Sequence, residues 1–523
     1  MGAADVAVIG GGLAGIAAAL DCADAGARVT LLEVRPRLGG AVYSFARDGL
    51  QIDNGQHVFL RCFAAYRALL ARLGSDSEVW LQPRFELPLV RPGGEVSVLR
   101  RSSLPAPLHL AGTLLRYDVL TVRERLLAAR AAFALGRLDL RDPALDRQTL
   151  GAWLAAHGQS PRAIAVLWDL IALPALNLPA DRASLALAAF VFKRGLLERA
   201  DAGDIGLHRR PQSEIVDEPA QRALREAGVE VRLGWGVERV TAGGGRFAIW
   251  RRGGTGEGEE GREGGCTARA RAADSQAGPR HAASKREGEE GTAVWDDRGG
   301  PVSEEETAVW RGGSERVDAD AVIVALPRAR AAELVERLDA DAAARAQALH
   351  DTPIVNIHVV YDRRVCEQPF VGGVESPVQY VFDRTESAAA GEGRQYLALS
   401  QSGADEEMGM GVEALRERYL PALADLFPRA REARVERFFA TREHAATLRA
   451  EPGVGALRPG PRTAVPGLIL AGAWTDTGWP ATLESAVLSG HAAARCALAT
   501  VGIERSGAGW DAGAPSAAAA MGR

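Results

Sequence analysis

Val6-Ala-Val-Ile-Gly10-Gly-Gly-Leu-Ala-Gly15-Ile-Ala-Ala-Ala-Leu20-Asp-Cys-Ala-Asp-Ala25-Gly-Ala-Arg-Val-Thr30-Leu-Leu-Glu33 is the stretch from which the architecture is read. Val6 to Ile9 is a short, continuously apolar run bounded by glycine, the pattern of a parallel strand buried on both faces. Leu13 to Ala25 is Ala-rich and helical, and Gly26 suits its C-terminal end. Arg28 to Glu33 is a second apolar, β-branched run. Strand, helix and strand fit within about 30 residues, one right-handed βαβ unit. Gly10, Gly12 and Gly15 supply G-x-G-x-x-G between strand and helix. In that context the first glycine permits a tight turn, the second lets a pyrophosphate approach the backbone, and the third lets helix and strand pack closely. The helix N-terminus then faces the phosphates. Glu33 ends the second strand, where a carboxylate accepts both ribose hydroxyls. The reading is an α/β chain with a Rossmann-like dinucleotide site.

Working outward, Val34-Arg-Pro-Arg-Leu-Gly-Gly40 brings a second glycine pair, Gly39 and Gly40, as if the chain passes the pyrophosphate again. Near the other end, Leu468-Ile-Leu-Ala-Gly-Ala-Trp-Thr-Asp-Thr-Gly-Trp-Pro-Ala-Thr-Leu-Glu-Ser485 places a strand, a glycine and a new helix N-terminus in sequence. Such a helix can aim its N–H groups at the polar edge of an isoalloxazine ring. Two such motifs at opposite ends of 523 residues favour FAD over a nicotinamide cofactor. Net charge is only −5, which gives nucleic acid no attractive field. Five cysteines are scattered without C-x-x-C spacing, arguing against a disulfide framework or a zinc site. No run approaches the roughly 18 apolar residues of a spanning helix, and the apolar stretch Val6–Leu20 lacks the basic start of a signal peptide. A cytoplasmic protein is expected.

The helix–strand texture divides the chain. Residues 1–84, 205–250, 317–345 and 460–502 read as pieces of the dinucleotide-binding domain. Residues 85–204, rich in Leu, Ala and Arg, read as a mainly helical part of a substrate domain, and 346–459 as its antiparallel-sheet part, with Ile354–Tyr361 a strand. Glu230 to Val240 reads as a strand pair. Residues 251–316 are rich in Gly, Glu and Arg, with too few apolar side chains to offset ordering; they read as a disordered, expanded hairpin loop. Residues 503–523 read as a loose tail.

With these motifs in place, the chain resembles the FAD-dependent amine oxidase and phytoene desaturase superfamily. Asp53-Asn-Gly-Gln-His57, Ala325-Leu-Pro327 and Trp474-Thr-Asp-Thr-Gly-Trp-Pro-Ala-Thr-Leu-Glu-Ser485 are most similar to the hydroxysqualene dehydroxylase family, also called squalene-associated FAD-dependent desaturases. The resemblance implies a Rossmann-like FAD-binding domain interleaved with a mainly helical plus antiparallel-sheet substrate domain. It implies a bacterial enzyme of squalene and hopanoid biosynthesis that uses reduced FAD to remove an allylic hydroxyl from a C30 isoprenoid. It implies cofactor contacts from Gly10, Gly12, Gly15, Glu33, Arg35, Gly39 and Gly40 to adenosine and pyrophosphate. Val237 would then serve the adenine, and Gly472, Asp476, Thr482 and Leu483 the ribityl chain and ring. Ala41 and Ala473 stand where relatives usually carry Arg and Asp, removing two cofactor contacts.

Loss of hydroxide asks for a general acid near the ring. The candidates are His57, oriented by Asp53, and Asp476, with Tyr380 and Tyr396 as further neutral donors. The substrate would need an apolar tunnel, with the 85–204 helices and the Ile354–Tyr361 strand as available walls. An external electron donor is required. A lipid substrate points to peripheral membrane contact, for which Leu104–Leu115, flanked by Arg101 and Arg116, is the best segment. Other readings stay open: a carotenoid-type desaturase or isomerase, an amine oxidase with Trp474 and Trp479 as an aromatic cage, or a non-catalytic prenyl-binding protein.

Overall fold

A computed structural model describes residues 3–252 and 315–503. The low-complexity segment 253–314, which includes Cys266, and the tail from 504 lie outside the described residues. The opening stretch forms the strand Asp5–Ile9, the helix Leu13–Asp24 and the strand Arg28–Leu32, with Gly26 just past the helix end at φ 87°. These strands belong to a five-stranded parallel sheet ordered Glu230–Arg232, Arg28–Leu32, Asp5–Ile9, Ala321–Val324 and Leu468–Leu470. Four of the five come from short apolar runs with mostly buried residues, as parallel strands require, whereas the edge strand Glu230–Arg232 is polar and partly exposed.

The stretch Glu230–Val240 is not the strand pair its sequence suggests. Glu230–Arg232 extends the parallel sheet beside Arg28–Leu32, whereas Val237–Gly243 starts an antiparallel meander with Arg246–Arg251 and Arg316–Ala319. Gly234, at φ 67°, lies in the turn between them. The strands flanking the undescribed segment pair directly, Phe247 opposite Ala319.

A seven-stranded mixed sheet forms the second layer system. Its order is Val435–Leu448, Asp351–Tyr361, Gln395–Ser402, Tyr380–Asp383, Phe370–Gly373, Glu86–Arg91 and Glu95–Arg100. The last two strands correct the helical reading of 85–204, which holds only from about residue 111 onward. Leu87 and Leu89 alternate across a hairpin turned by Gly93 and Gly94, and join the sheet edge. Ile354–Tyr361 is antiparallel on both sides, as its alternation predicts.

Three glycines set how closely helices meet the parallel sheet. A Cβ at Gly15 would lie 1.8 Å from the Gly10 carbonyl oxygen, and one at Gly10 would lie 2.3 Å from the Ala325 oxygen. A Cβ at Gly490, in the C-terminal helix Leu483–Thr500, would lie 2.2 Å from the Ala14 oxygen. The first and last helices therefore touch backbone to backbone, one over each end of the cofactor motif. Gly490→Val should destabilise the fold by about 1–3 kcal/mol or more through overpacking. Gly409→Ala, where a Cβ meets nothing within 4 Å, should stay within about 0.5 kcal/mol of wild type. Urea unfolding of both variants checks the contrast.

Candidate active site

The two glycine motifs converge. Gly10 follows the Asp5–Ile9 strand and Gly472 follows Leu468–Leu470, with only the Ala321–Val324 strand between them. Consecutive carbonyls of that middle strand's exit face each glycine: Ala325 O is 2.3 Å from a Cβ built at Gly10, and Leu326 O is 3.5 Å from one at Gly472. Strand spacing puts the two turns about 10 Å apart. The second glycine pair also lies where the first needs it. Gly39 N donates to Gly11 O at 2.9 Å, and a Cβ on Gly40 would sit 2.8 Å from Gly12 Cα. Gly12 and Gly40 thus form a backbone cradle that any larger side chain would fill.

Polar groups around the cradle fit a dinucleotide. The Glu33 carboxylate accepts from Gly11 N at 2.6 Å and from Arg35 N at 2.8 Å, which fixes it at the strand end with lone pairs to spare. Arg35 and Arg37 both donate to Gly40 O. Arg37 was not singled out from sequence, yet its buried Nη2 has no partner among the described residues. Burial and the neighbouring Arg35 pull its pKa below the usual arginine value. An anion over the cradle would relieve both. Gly234 N donates to Arg35 O and Trp235 N to Glu33 O, so the turn before Val237 lies along the ribose position. The Val237 carbonyl itself accepts from Arg330 at 2.8 Å.

At the C-terminal motif, Thr482 caps the Leu483–Thr500 helix by accepting from Ser485 N at 3.3 Å. The N–H groups of Leu483 and Glu484 have no intrahelical acceptor by geometry. Asp476 sits in an exposed turn, where its Oδ1 accepts from Gly478 N at 3.0 Å. It therefore closes a loop rather than pointing at a reacting atom. The loop's shape comes from Arg458, buried and 15–21 residues earlier, which donates to the carbonyls of Ala473, Trp474, Thr475 and Trp479. Burial pushes this guanidinium down to about 10. Trp474 is buried with Nε1 on Leu326 O at 2.9 Å, while Trp479 packs edge-on against Phe63 and Phe190. Among the described residues the two indoles make no ring contact with each other, so no paired aromatic cage forms.

His57 lies close to the cradle: the backbone of Ala41, the residue after Gly40, is near enough to favour its charged form. It is half-buried, and desolvation lowers its pKa below the ordinary imidazole value. Its Nε2 is buried without a hydrogen-bond partner among the described residues. Burial disfavours the protonated ring, which argues against His57 as the general acid. Asp53 does not orient it, because that carboxylate binds Arg384 at 2.6 Å, Ser44 Oγ at 2.6 Å and Gln212 N at 3.0 Å. Tyr380 donates to Leu170 O and Tyr396 bonds His358, so each hydroxyl is already engaged.

His57 and Gln56 border a cavity of about 620 Å³. Trp80, Leu207 and Phe382 form apolar wall, and His208, Gln212 and Arg384 form polar wall. The walls come from 53–58, 207–212, 364–369, 382–387 and 391–394, with the charged side chains of Arg209, Arg364, Glu367, Asp383, Glu386 and Arg394 among them, rather than from the helices expected to build an apolar tunnel. Gln56 Nε2, His57 Nε2 and Gln212 Oε1 are buried there without partners among the described residues.

A model of the flavin containing amine oxidoreductase family matches residues 13–272 and 297–498. The chain belongs to that family. Its cofactor is accordingly FAD, and Gly10, Gly12, Glu33, Arg37 and Gly40 are the residues of the cradle that could hold a dinucleotide. A probable zeta-carotene desaturase of Synechococcus elongatus is 26% identical over 510 residues, covering 94% of this chain and 98% of its own. Hydroxysqualene dehydroxylase of Rhodopseudomonas palustris is 27% identical over 504 residues, with the same coverage of 94% and 98%. Putrescine oxidase bound to putrescine superposes with a TM-score of 0.64 at 19% identity, over 95% of this chain and 99% of its own. That likeness establishes the fold.

Arg37→Ala should weaken FAD binding roughly 10- to 100-fold, the loss of one charged hydrogen-bond partner, while leaving unfolding in the absence of FAD nearly unchanged. Titration of the apoprotein followed by flavin fluorescence measures it. Burial also drives His208 and His358 down to about 3. Unfolded, each takes a proton below about pH 6.5, whereas the folded protein does not until about pH 3, so stability is lost as pH falls through that window. From about pH 7 to about pH 5 each should cost about 2 kcal/mol. Urea unfolding of His358→Gln should show a shallower pH slope than wild type.

Proposed function

We propose that the protein is an FAD-dependent oxidoreductase that reductively removes the allylic hydroxyl of hydroxysqualene to give squalene. The observation that carries this reading is a pair of buried polar atoms without hydrogen-bond partners among the described residues, Gln56 Nε2 and His57 Nε2, on two residues that border the cavity. A hydroxyl satisfies both at once, since it donates and accepts. A hydrocarbon awaiting desaturation would leave both buried and unpaired, at about 1–3 kcal/mol each. The full-length similarity to hydroxysqualene dehydroxylase supports the same substrate class.

Bound and reduced, FAD supplies the hydride, so that R–OH, two electrons and two protons give R–H and water. The chain's own residues hold the alcohol. Neutral His57 would accept the substrate O–H and Gln56 would donate to its oxygen, so the two hold the alcohol, and the proton that turns the departing hydroxide into water is taken from solvent because neither side chain is an acid. The buried Asp53–Arg384 ion pair keeps this floor rigid: Arg384 also holds the His208 carbonyl at 2.8 Å, and Gln212 Nε2 holds the Gly55 carbonyl at 2.6 Å. Trp80, Leu207 and Phe382 supply the apolar side of the cavity, against which the hydrocarbon chain would lie.

The pure protein with FAD, a reductant and hydroxysqualene should yield squalene by mass spectrometry of the lipid extract. Gln56→Leu should lower turnover roughly 10- to 100-fold with FAD still bound. Unchanged alcohol beside bound, reduced flavin would refute the dehydroxylase reading. A new double bond in a polyene hydrocarbon under oxidising conditions would replace it with a desaturase.

A further inference from the structure

Ten large apolar side chains are exposed among the described residues, and eight of them lie between residues 96 and 133. Val96 and Val98 stand on the edge strand Glu95–Arg100, and Leu104, Leu108 and Leu115 on the segment through the helix Ala111–Arg116. Val122, Leu126 and Phe133 stand on the helix Val122–Gly136. Thr113 donates to Val98 O and accepts from Arg100 N, which ties the short helix to the strand. Arg125 donates to Leu115 O and Leu120 O, which ties the long helix to the short one. The three segments therefore make one continuous surface.

The long helix is apolar on the side it turns to water. Val122, Leu126, Ala129 and Phe133 recur every three or four residues, one stripe of a 3.6-residue helix. Arg123, Arg130 and Arg137, seven apart, form a parallel exposed stripe beside it. Arg123 and Arg130 have no carboxylate partner among the described residues. Residues 95–137 hold seven arginines against three acidic residues in a chain whose net charge is −5. Arg101, expected at the rim of such a patch, is instead turned inward onto Asp204 at 2.7 Å. No helix among the described residues is long and apolar enough to cross a membrane.

We propose that this surface docks the protein on an anionic lipid bilayer. The apolar stripe enters the headgroup–acyl boundary, and the free arginines beside it meet phosphate. The inference deepens the lipid-substrate reading above and rests on it only for the need, since the docking assay contains no substrate.

Full-length protein is sedimented with vesicles of phosphatidylcholine alone and of phosphatidylcholine with phosphatidylglycerol. Wild type should pellet with the anionic vesicles, less so as salt rises. Leu126→Glu with Phe133→Glu should bind at least roughly tenfold more weakly, and Arg123→Gln with Arg130→Gln should lose the anionic preference. Leu457→Glu, exposed outside this stretch, should bind as wild type. Because Leu126 and Phe133 are 63% and 62% exposed, the double variant should melt as wild type does; if it unfolds, Leu115→Glu, also 63% exposed, takes its place. Wild type that pellets with neither vesicle, or glutamate variants that bind as wild type, would overturn the proposal. So would a solution dimer that the glutamate variants dissolve without any vesicle binding, which would give the face to a second copy.

Discussion

Backbone-to-backbone contact at glycine is the constraint on which the site depends. At Gly15, Gly10 and Gly490 a neighbouring carbonyl oxygen lies 1.8–2.3 Å from where a Cβ would stand. These contacts bring the first and last helices onto one parallel sheet, closer than any side chain would allow. Because the strands before Gly10 and Gly472 have a single strand between them, residues more than 450 positions apart in sequence share one floor. Gly40 repeats the device against Gly12 and completes the cradle.

Charge burial does the rest. Each loop over the floor is shaped by a single long-range polar residue. Arg458 gathers four carbonyls of the 473–479 turn, and the Glu484 carboxylate accepts from Ala65 and Tyr66 at the start of another helix. Asp204 is buried between Arg61 and Arg101; burial opposes its charge, but the two guanidiniums outweigh that and hold its carboxyl low. Asp53 and Arg384 form another buried ion pair, at the wall of the cavity. Removing one partner of such a pair leaves an uncompensated charge, so these residues position the site without touching a substrate.

The glycine motifs were legible because steric demand leaves a residue type at a fixed spacing: Gly10, Gly12, Gly15 and Glu33 lie where the motif implies. Arg37 was within reach too, two residues past Arg35, and a second cation beside a phosphate cradle is a usable signal. The Glu86–Arg100 hairpin carried its own mark, Gly93-Gly94 between two alternating runs, overshadowed by the Leu- and Arg-rich texture that follows. Arg458, Gln212, Arg384 and Asn356, whose Nδ2 donates to Asn54 O at 2.9 Å, had no local signature. Their partners lie 15 to more than 300 residues away, and only the fold brings them together. The role of His57 changed for the same reason. Its sequence neighbour Asp53 suggested a charged acid, whereas the fold gives Asp53 to Arg384 and desolvates the imidazole, which disfavours its charged form.

A crystal structure of the protein with FAD bound tests the central claim most directly. The account requires pyrophosphate density over the amides between Gly12 and Gly40, against the Arg37 guanidinium, and a tricyclic ring whose reactive face opens on the cavity beside Gln56 and His57. Pyrophosphate bound elsewhere, or a ring walled off from that cavity, would contradict it.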